Sequence, residues 1–246
     1  MRQILSYFAK QADSDHLCRI ISSSFAAIAM LFSIALPAQN SKFKPEWNVG
    51  INAGYNFSSV DFDPRITTKT TGGKTGGISL RYISEKNLGL IGELNFSQQG
   101  WTQDFLENSS LYSHSHKLNY VELPVMTHIY FGKKVRFMFN FGPQISFLLS
   151  QKEEMNSNLS QLLASGSAGK VLSDTVQYGK MAERKLDYGL VMGTGVELRT
   201  KIGYFVLEGR YYFGLGDIYN STKSDYFSRS ANRVMSAKLT YYMKIF

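Results

Sequence analysis

Few side chains in this chain are equipped for chemistry. Its 246 residues include four His and a single Cys. His114 and His116 lie in Tyr112-Ser113-His114-Ser115-His116, and residues two apart share one face of an extended segment, the first half of a metal site. No third or fourth ligand is evident, so the pair reads as part of a solvated loop and no metal is expected. His128 stands beside Tyr130. A nucleophile and base need hydrogen-bond reach and a third group to orient the base. No serine is identifiable at the matching depth, so His128 reads as an interior imidazole and no catalytic residue is assigned. Asp61 and Asp63 lack the later ligands of a calcium loop. Gly72-Gly73-Lys74 has no helix behind it to cradle a phosphate. One Cys excludes a disulfide framework and a Cys-rich zinc module. No cofactor is expected. The net charge is +8, from 27 basic and 19 acidic residues. The basic residues are dispersed and form no nucleic-acid patch.

These residues must be held by strands, because the chain alternates. Successive strand side chains face opposite sides. Trp47, Val49, Ile51, Ala53, Tyr55 and Phe57 point one way, and Asn48, Gly50, Asn52, Gly54 and Asn56 the other. Seven further runs repeat this, among them Val135, Phe137, Phe139 and Phe141 against Arg136 and Asn140. Runs of about ten residues with one apolar face match transmembrane β-strands. Connections alternate in length. Ser84–Asn87, Gly132–Lys133 and Thr200–Ile202 are short, whereas Ser58–Gly73, Gln99–His116, Gln151–Glu183 and Gly216–Ser230 are long. Outer-membrane barrels have short periplasmic turns and longer extracellular loops. The expected fold is all-β: an eight-stranded antiparallel transmembrane β-barrel, an up-and-down meander with both termini periplasmic. Tyr55, Phe57, Tyr82, Phe131, Tyr188 and Phe205 fall near strand ends, as interfacial girdles require.

The apolar stretch Ile20–Leu36 follows Arg19 and ends in Leu36-Pro37-Ala38-Gln39. This is the pattern of a cleaved secretory signal peptide, expected at 1–38, with the barrel domain at 39–246. Cys18 precedes the apolar core, so a lipoprotein anchor is not expected.

The face opposite the apolar one carries Arg81, Glu93, Glu122, Glu197, Glu208, Arg210 and Lys238. An eight-stranded barrel is just wide enough for side chains to fill. Mixed acids and bases therefore predict a cross-barrel ion-pair network with Glu93 and Arg210 at its core. Lys74, Lys117, Arg184, Lys185 and Arg233 sit where strands begin at the extracellular side, a rim for lipopolysaccharide phosphates. In the third loop Met155, Leu159, Leu162 and Leu163 recur at near-helical spacing, predicting a short amphipathic helix over the mouth.

Three segments resemble the PorT-like outer-membrane β-barrel family. They are Gly92-Glu93-Leu94-Asn95-Phe96-Ser97-Gln98-Gln99-Gly100-Trp101, Leu118-Asn119-Tyr120-Val121-Glu122-Leu123-Pro124, and Phe141-Gly142-Pro143-Gln144. The resemblance runs from Trp47 to Phe246. It departs at the C-terminus, where Phe246 shares its register with Lys244, Tyr242, Thr240 and Lys238. The resemblance implies a link to protein secretion across the outer membrane and to surface delivery. The expected role is a non-enzymatic outer-membrane component acting through its extracellular loops on protein partners, in contact with outer-membrane lipid and lipopolysaccharide. A small porin-like channel is the alternative, followed by a lipid-modifying enzyme.

Overall fold

The computed structural model describes residues 43–105, 111–166, 175–222 and 225–245. The expected signal peptide and Phe246 lie outside the described residues. In chain order the elements are β1 (Glu46–Asp63), β2 (Thr68–Lys69), β3 (Thr71–Glu85), β4 (Leu88–Gln103), β5 (His114–Gly132), β6 (Val135–Met155), α1 (Ser157–Ala164), β7 (Leu186–Arg199), β8 (Tyr204–Asp217) and β9 (Arg229–Lys244).

Eight long strands close into a ring. The order is β4-β3-β1-β9-β8-β7-β6-β5, and β5 pairs back onto β4. Every neighbouring pair is antiparallel. The two-residue β2 adds to the edge of β4 outside this ring. Asn48 of β1 lies opposite Lys244 of β9, so the barrel's first and last residues meet at the end bearing the short turns. Gly132 closes the β5–β6 turn at φ 119°, a conformation that a side chain would strain. Among the described residues no helix is long and apolar enough to cross a membrane.

The alternation in sequence becomes an outer wall and a filled interior. Ile51, Ile78, Leu94, Val125, Phe139, Met192, Leu207 and Leu239 all face outward and are exposed. Exposure of this kind on all eight strands is a surface for lipid and not for water. Trp47 and Tyr82 pair at 4.6 Å near the turn end, and Phe205 and Tyr241 at 5.0 Å, as the aromatic girdle predicts.

The strands are longer than the ten residues the apolar runs suggest. β1 has 18, β5 has 19 and β6 has 21 residues. The reason is a change of solvent. Past Phe57 the outward positions of β1 become Ser59, Asp61 and Asp63, while Val60 and Phe62 turn inward and are buried. β5 does the same, with Lys117 and Asn119 outward and Leu118 and Tyr120 buried. Above the lipid band the barrel is therefore built inside-out relative to its membrane part: polar outside, apolar inside. An apolar-out criterion stops at the lipid boundary and misses these extensions. Asp61, Asp63, His114 and His116 consequently lie in strands and not in loops.

Placing a charge on the lipid wall tests the height of this band. Phe139→Arg, facing lipid in the apolar-walled part of β6, is expected to destabilise the folded barrel by about 2–4 kcal/mol in urea titrations in liposomes. Ser150→Arg, outward near the loop end, is expected to cost about 0–1 kcal/mol.

Candidate functional site

The interior charges pair across the lumen. Arg81 of β3 bonds Glu197 of β7, which also receives Arg136 Nη1 at 3.3 Å. Arg210 of β8 grips Glu93 of β4 with two bonds of 2.7 Å, one from each terminal nitrogen. Lys238 Nζ reaches the same Glu93 at 2.9 Å, and Glu208 takes Arg210 at 2.7 Å. β3 and β7, like β4 and β8, stand diametrically opposite in the ring. Only in a narrow barrel can opposed side chains meet, and two-pronged Arg–carboxylate bonds are the strong form of such contacts. Asn95 adds a further bond to Glu93 Oε2 at 2.8 Å, and Asn140 donates to the second Glu208 oxygen at 2.7 Å. Gly193 clears the space, since a Cβ there would strike the Glu208 carboxylate. Glu122 stands apart from this cluster and accepts from Gln99 at 2.5 Å. All seven interior charges named from the sequence are buried.

Above the polar layer lies an apolar plug. Val60, Phe62, Ile66, Trp101, Leu118, Tyr120, Leu148, Ala182, Ile218, Tyr219 and Phe227 form one buried cluster. Five of these come from connections, so the loops fold back into the mouth. Phe62 meets Trp101 at 5.1 Å and Phe227 at 5.3 Å, and Tyr219 stacks on Phe227 at 5.5 Å. Lys180 lies 5.1 Å over the Tyr219 ring and its carbonyl accepts from the Tyr219 hydroxyl at 3.1 Å. α1 carries Leu159, Leu162 and Leu163 of the expected spacing, whereas Met155 belongs to β6. Asn156 caps its start by accepting from Leu159 N at 3.1 Å, and Leu159 is buried.

One irregularity resets the rim. The ladder pairs Asn119 with Ser150 but Tyr120 with Leu148, so Leu149 is an extra residue in β6. A bulge of one residue reverses the faces of everything beyond it. Strict alternation from Arg136 would send Lys152 and Glu154 inward and Glu153 outward. The bulge does the opposite. Lys117 and Lys152 both bond the outward Glu154, at 2.8 and 2.9 Å, which holds that carboxyl down at about 2. The five rim residues named from the sequence are thus differently placed. Lys74, Lys117 and Arg233 lie inside β3, β5 and β9, and Arg184 and Lys185 just precede β7. Arg233 is engaged by Asp61 at 3.3 Å and lies 3.8 Å over the Phe213 ring. Beside it a 430 Å³ cleft opens on the outer wall, lined by Phe57, Arg65, Thr68, Tyr211, Arg233 and Met235.

The same bulge points Glu153 into the mouth, opposite His116. His114 and His116 are 0 % and 1 % exposed, so they do not form the solvated pair that the sequence suggests. The β5 strand begins at His114 and turns both rings inward. Glu153 Oε1 is 2.7 Å from His114 Nε2 and 3.5 Å from His116 Nε2. Burial, only partly offset by Glu153, keeps both imidazoles below their ordinary pKa. Burial pushes the Glu153 carboxyl up, but the Gly179 N–H and the two imidazoles outweigh it and leave it below the usual range. The sequence offers the histidines but not their acid, because the bulge breaks the alternation that would place Glu153.

Residues 37–220 match the family described as outer membrane protein beta-barrel domain. The chain belongs to that family. Among solved structures similar to this barrel, the Yersinia pestis attachment invasion locus protein Ail is 16 % identical, with 81 % of this chain and 99 % of that chain covered and a TM-score of 0.38. OprG of Pseudomonas aeruginosa is 10 % identical, covering 80 % and 95 %, with a TM-score of 0.45. Neisserial surface protein A is 12 % identical, covering 81 % and 99 %, with a TM-score of 0.41. Comparison with curated proteins gives no match.

In this outer-membrane barrel His128 faces inward with Nδ1 2.7 Å from Asn140 Oδ1 and its ring stacked on Tyr130 at 5.3 Å. That arrangement fixes the imidazole in place. Glu93 carries the heavier structural load. Glu93→Gln leaves Lys238 buried against a neutral partner and Arg210 with Glu208 alone, and the expected loss is about 3–5 kcal/mol. It should appear as a lower temperature for loss of the compact electrophoretic form, with no change in the wild type's.

Proposed function

We propose that this chain is a non-enzymatic, non-conducting outer-membrane protein, exported by a cleaved signal peptide, that works as an interaction component at the cell surface. The observation that carries this reading is side-chain packing across the lumen at two levels. The Glu93–Arg210–Lys238–Glu208 cluster fills the membrane section. The Phe62–Trp101–Tyr219–Phe227 plug fills the mouth. The void beside Glu122, Tyr212 and Lys238 measures 20 Å³, room for about one water. A diffusion channel needs a continuous wet path, and this interior favours a rigid post instead.

The working surface is then the cap. Leu111, Val176, Met181 and Tyr226 are large apolar side chains left exposed at the loop end, a composition suited to protein contact. The PorT-like motifs favour a partner in protein secretion or surface assembly. On the lipid side, Lys74, Arg184 and Lys185 are exposed at the upper edge of the apolar band, where lipopolysaccharide phosphates would meet them.

Two measurements test the reading. Purified protein in planar bilayers is expected to be electrically silent, and discrete conductance steps would overturn the closed-lumen reading. A photo-crosslinking amino acid at Met181 is expected to yield one discrete protein adduct on intact cells. Recovery of the barrel alone would remove the interaction role. For the lipid contact, the Lys74→Ala/Lys185→Ala double variant is expected to co-purify with less lipopolysaccharide than wild type by mass spectrometry.

A further inference from the structure

Three donors converge on one point inside the mouth, and hydrogen bonding leaves part of that point unexplained. The ligand atoms of His114, His116 and Glu153 all lie within 4.8 Å of one another. His116 Nε2 faces Glu153 Oε1 at 3.5 Å, is buried, and makes no hydrogen bond. The ring that carries it is held flat against Trp101, with centroids 5.2 Å apart and planes 5° from parallel. Trp101 also meets His114 edge-on at 5.2 Å, and Tyr178 abuts the far side of His114 at 4.8 Å. The walls of the site are thus aromatic and its centre is polar.

We propose that His114, His116 and Glu153 form a binding site for a divalent transition-metal ion of the zinc type, which clasps the extracellular cap to the barrel wall. Zinc bound by imidazole nitrogen and carboxylate oxygen at ~2.0–2.2 Å needs its donors ~3.4 Å apart at a tetrahedral centre. The Glu153–His116 separation already has this value, and the Glu153–His114 hydrogen bond of 2.7 Å opens by less than ~1 Å when a metal replaces the shared proton. Two imidazoles and one carboxylate suit zinc, copper and nickel, and one oxygen donor is too few for calcium or magnesium. The fourth position falls to water or an incoming ligand.

The clasp follows from what else Glu153 holds. Its Oε1 accepts from Gly179 N at 2.9 Å, so the group that would bind the metal also binds the segment before β7. A metal joins β5, β6 and that segment at one centre. Its absence leaves two neutral rings and a carboxylate to hold the same contact.

Untagged protein extracted from outer membranes, stripped with chelator, provides the test. Titration calorimetry with Zn²⁺ is expected to find one site per chain. Co²⁺ is expected to give a ligand-field absorption band and to quench tryptophan emission, because one of the chain's two tryptophans, Trp101, stacks on His116. Glu153→Gln and His116→Asn are each expected to weaken Zn²⁺ binding by at least about tenfold, the loss that even outer-shell partners cause. His128→Asn, lower in the lumen, is expected to leave it unchanged. Chelation is expected to speed proteolysis in the segment before β7 in the wild type and not in Glu153→Gln. A wild-type chain that binds no Zn²⁺, shows no cobalt band or quenching, or binds equally well in both ligand variants would overturn the site. The cobalt readout uses the unaltered chain and stands whether or not a variant folds.

Discussion

Closure of β5 onto β4 is the constraint on which everything else rests. In hydrocarbon an unpaired N–H or C=O has no water to turn to, so a sheet can cross a membrane only if its edges meet. The Leu88–Ile129 to Thr102–Ser115 ladder provides that last seam. Once the ring is shut at eight strands its diameter is set, and the diameter decides what the interior can be. Opposed strands come within side-chain reach, so Arg81 meets Glu197 and Arg210 meets Glu93 across the lumen. A wider ring would hold the same residues apart and wet.

The strands then serve two solvents in succession. Within the bilayer the wall is apolar and the centre polar. Beyond Phe57 on β1 and Val121 on β5 the order reverses, and the strands continue with apolar residues inward. The upper barrel has a core like that of a soluble protein, supplied by strand residues such as Trp101 and Leu118 and by loop residues such as Tyr219 and Phe227. Burying those aromatics anchors the loop residues Ile66, Ala182, Ile218, Tyr219 and Phe227 in the upper barrel.

A single extra residue, Leu149, separates the surface chemistry from the chemistry of the mouth. It turns Lys152 and Glu154 out to join Lys117, and it turns Glu153 in to join His114 and His116. Bulges near barrel rims commonly re-aim side chains in this way. The ion pairs outside and the convergent donors inside thus share one cause.

Much of this was legible in the sequence. Alternation along the chain determined eight strands, the lipid-facing wall and the identity of the interior charges, because the pleat places every second residue on one face whatever surrounds it. The alternating connection lengths determined the meander, and the Leu159–Leu163 part of the predicted spacing marked the helix, while Met155 ends β6. What alternation cannot supply is which interior residues meet, since Arg210 and Glu93 are 117 positions apart and are joined only by ring closure. Nor can it see past a change of solvent or of register. The upper strands kept their period while reversing their polarity, and Leu149 broke the period itself, so the strand extensions and Glu153 emerged only in three dimensions. Local periodicity is a property of the backbone and is written in the sequence. Partnership across a closed lumen and the facing of residues past a bulge are properties of the assembled sheet, and only the tertiary structure decided them.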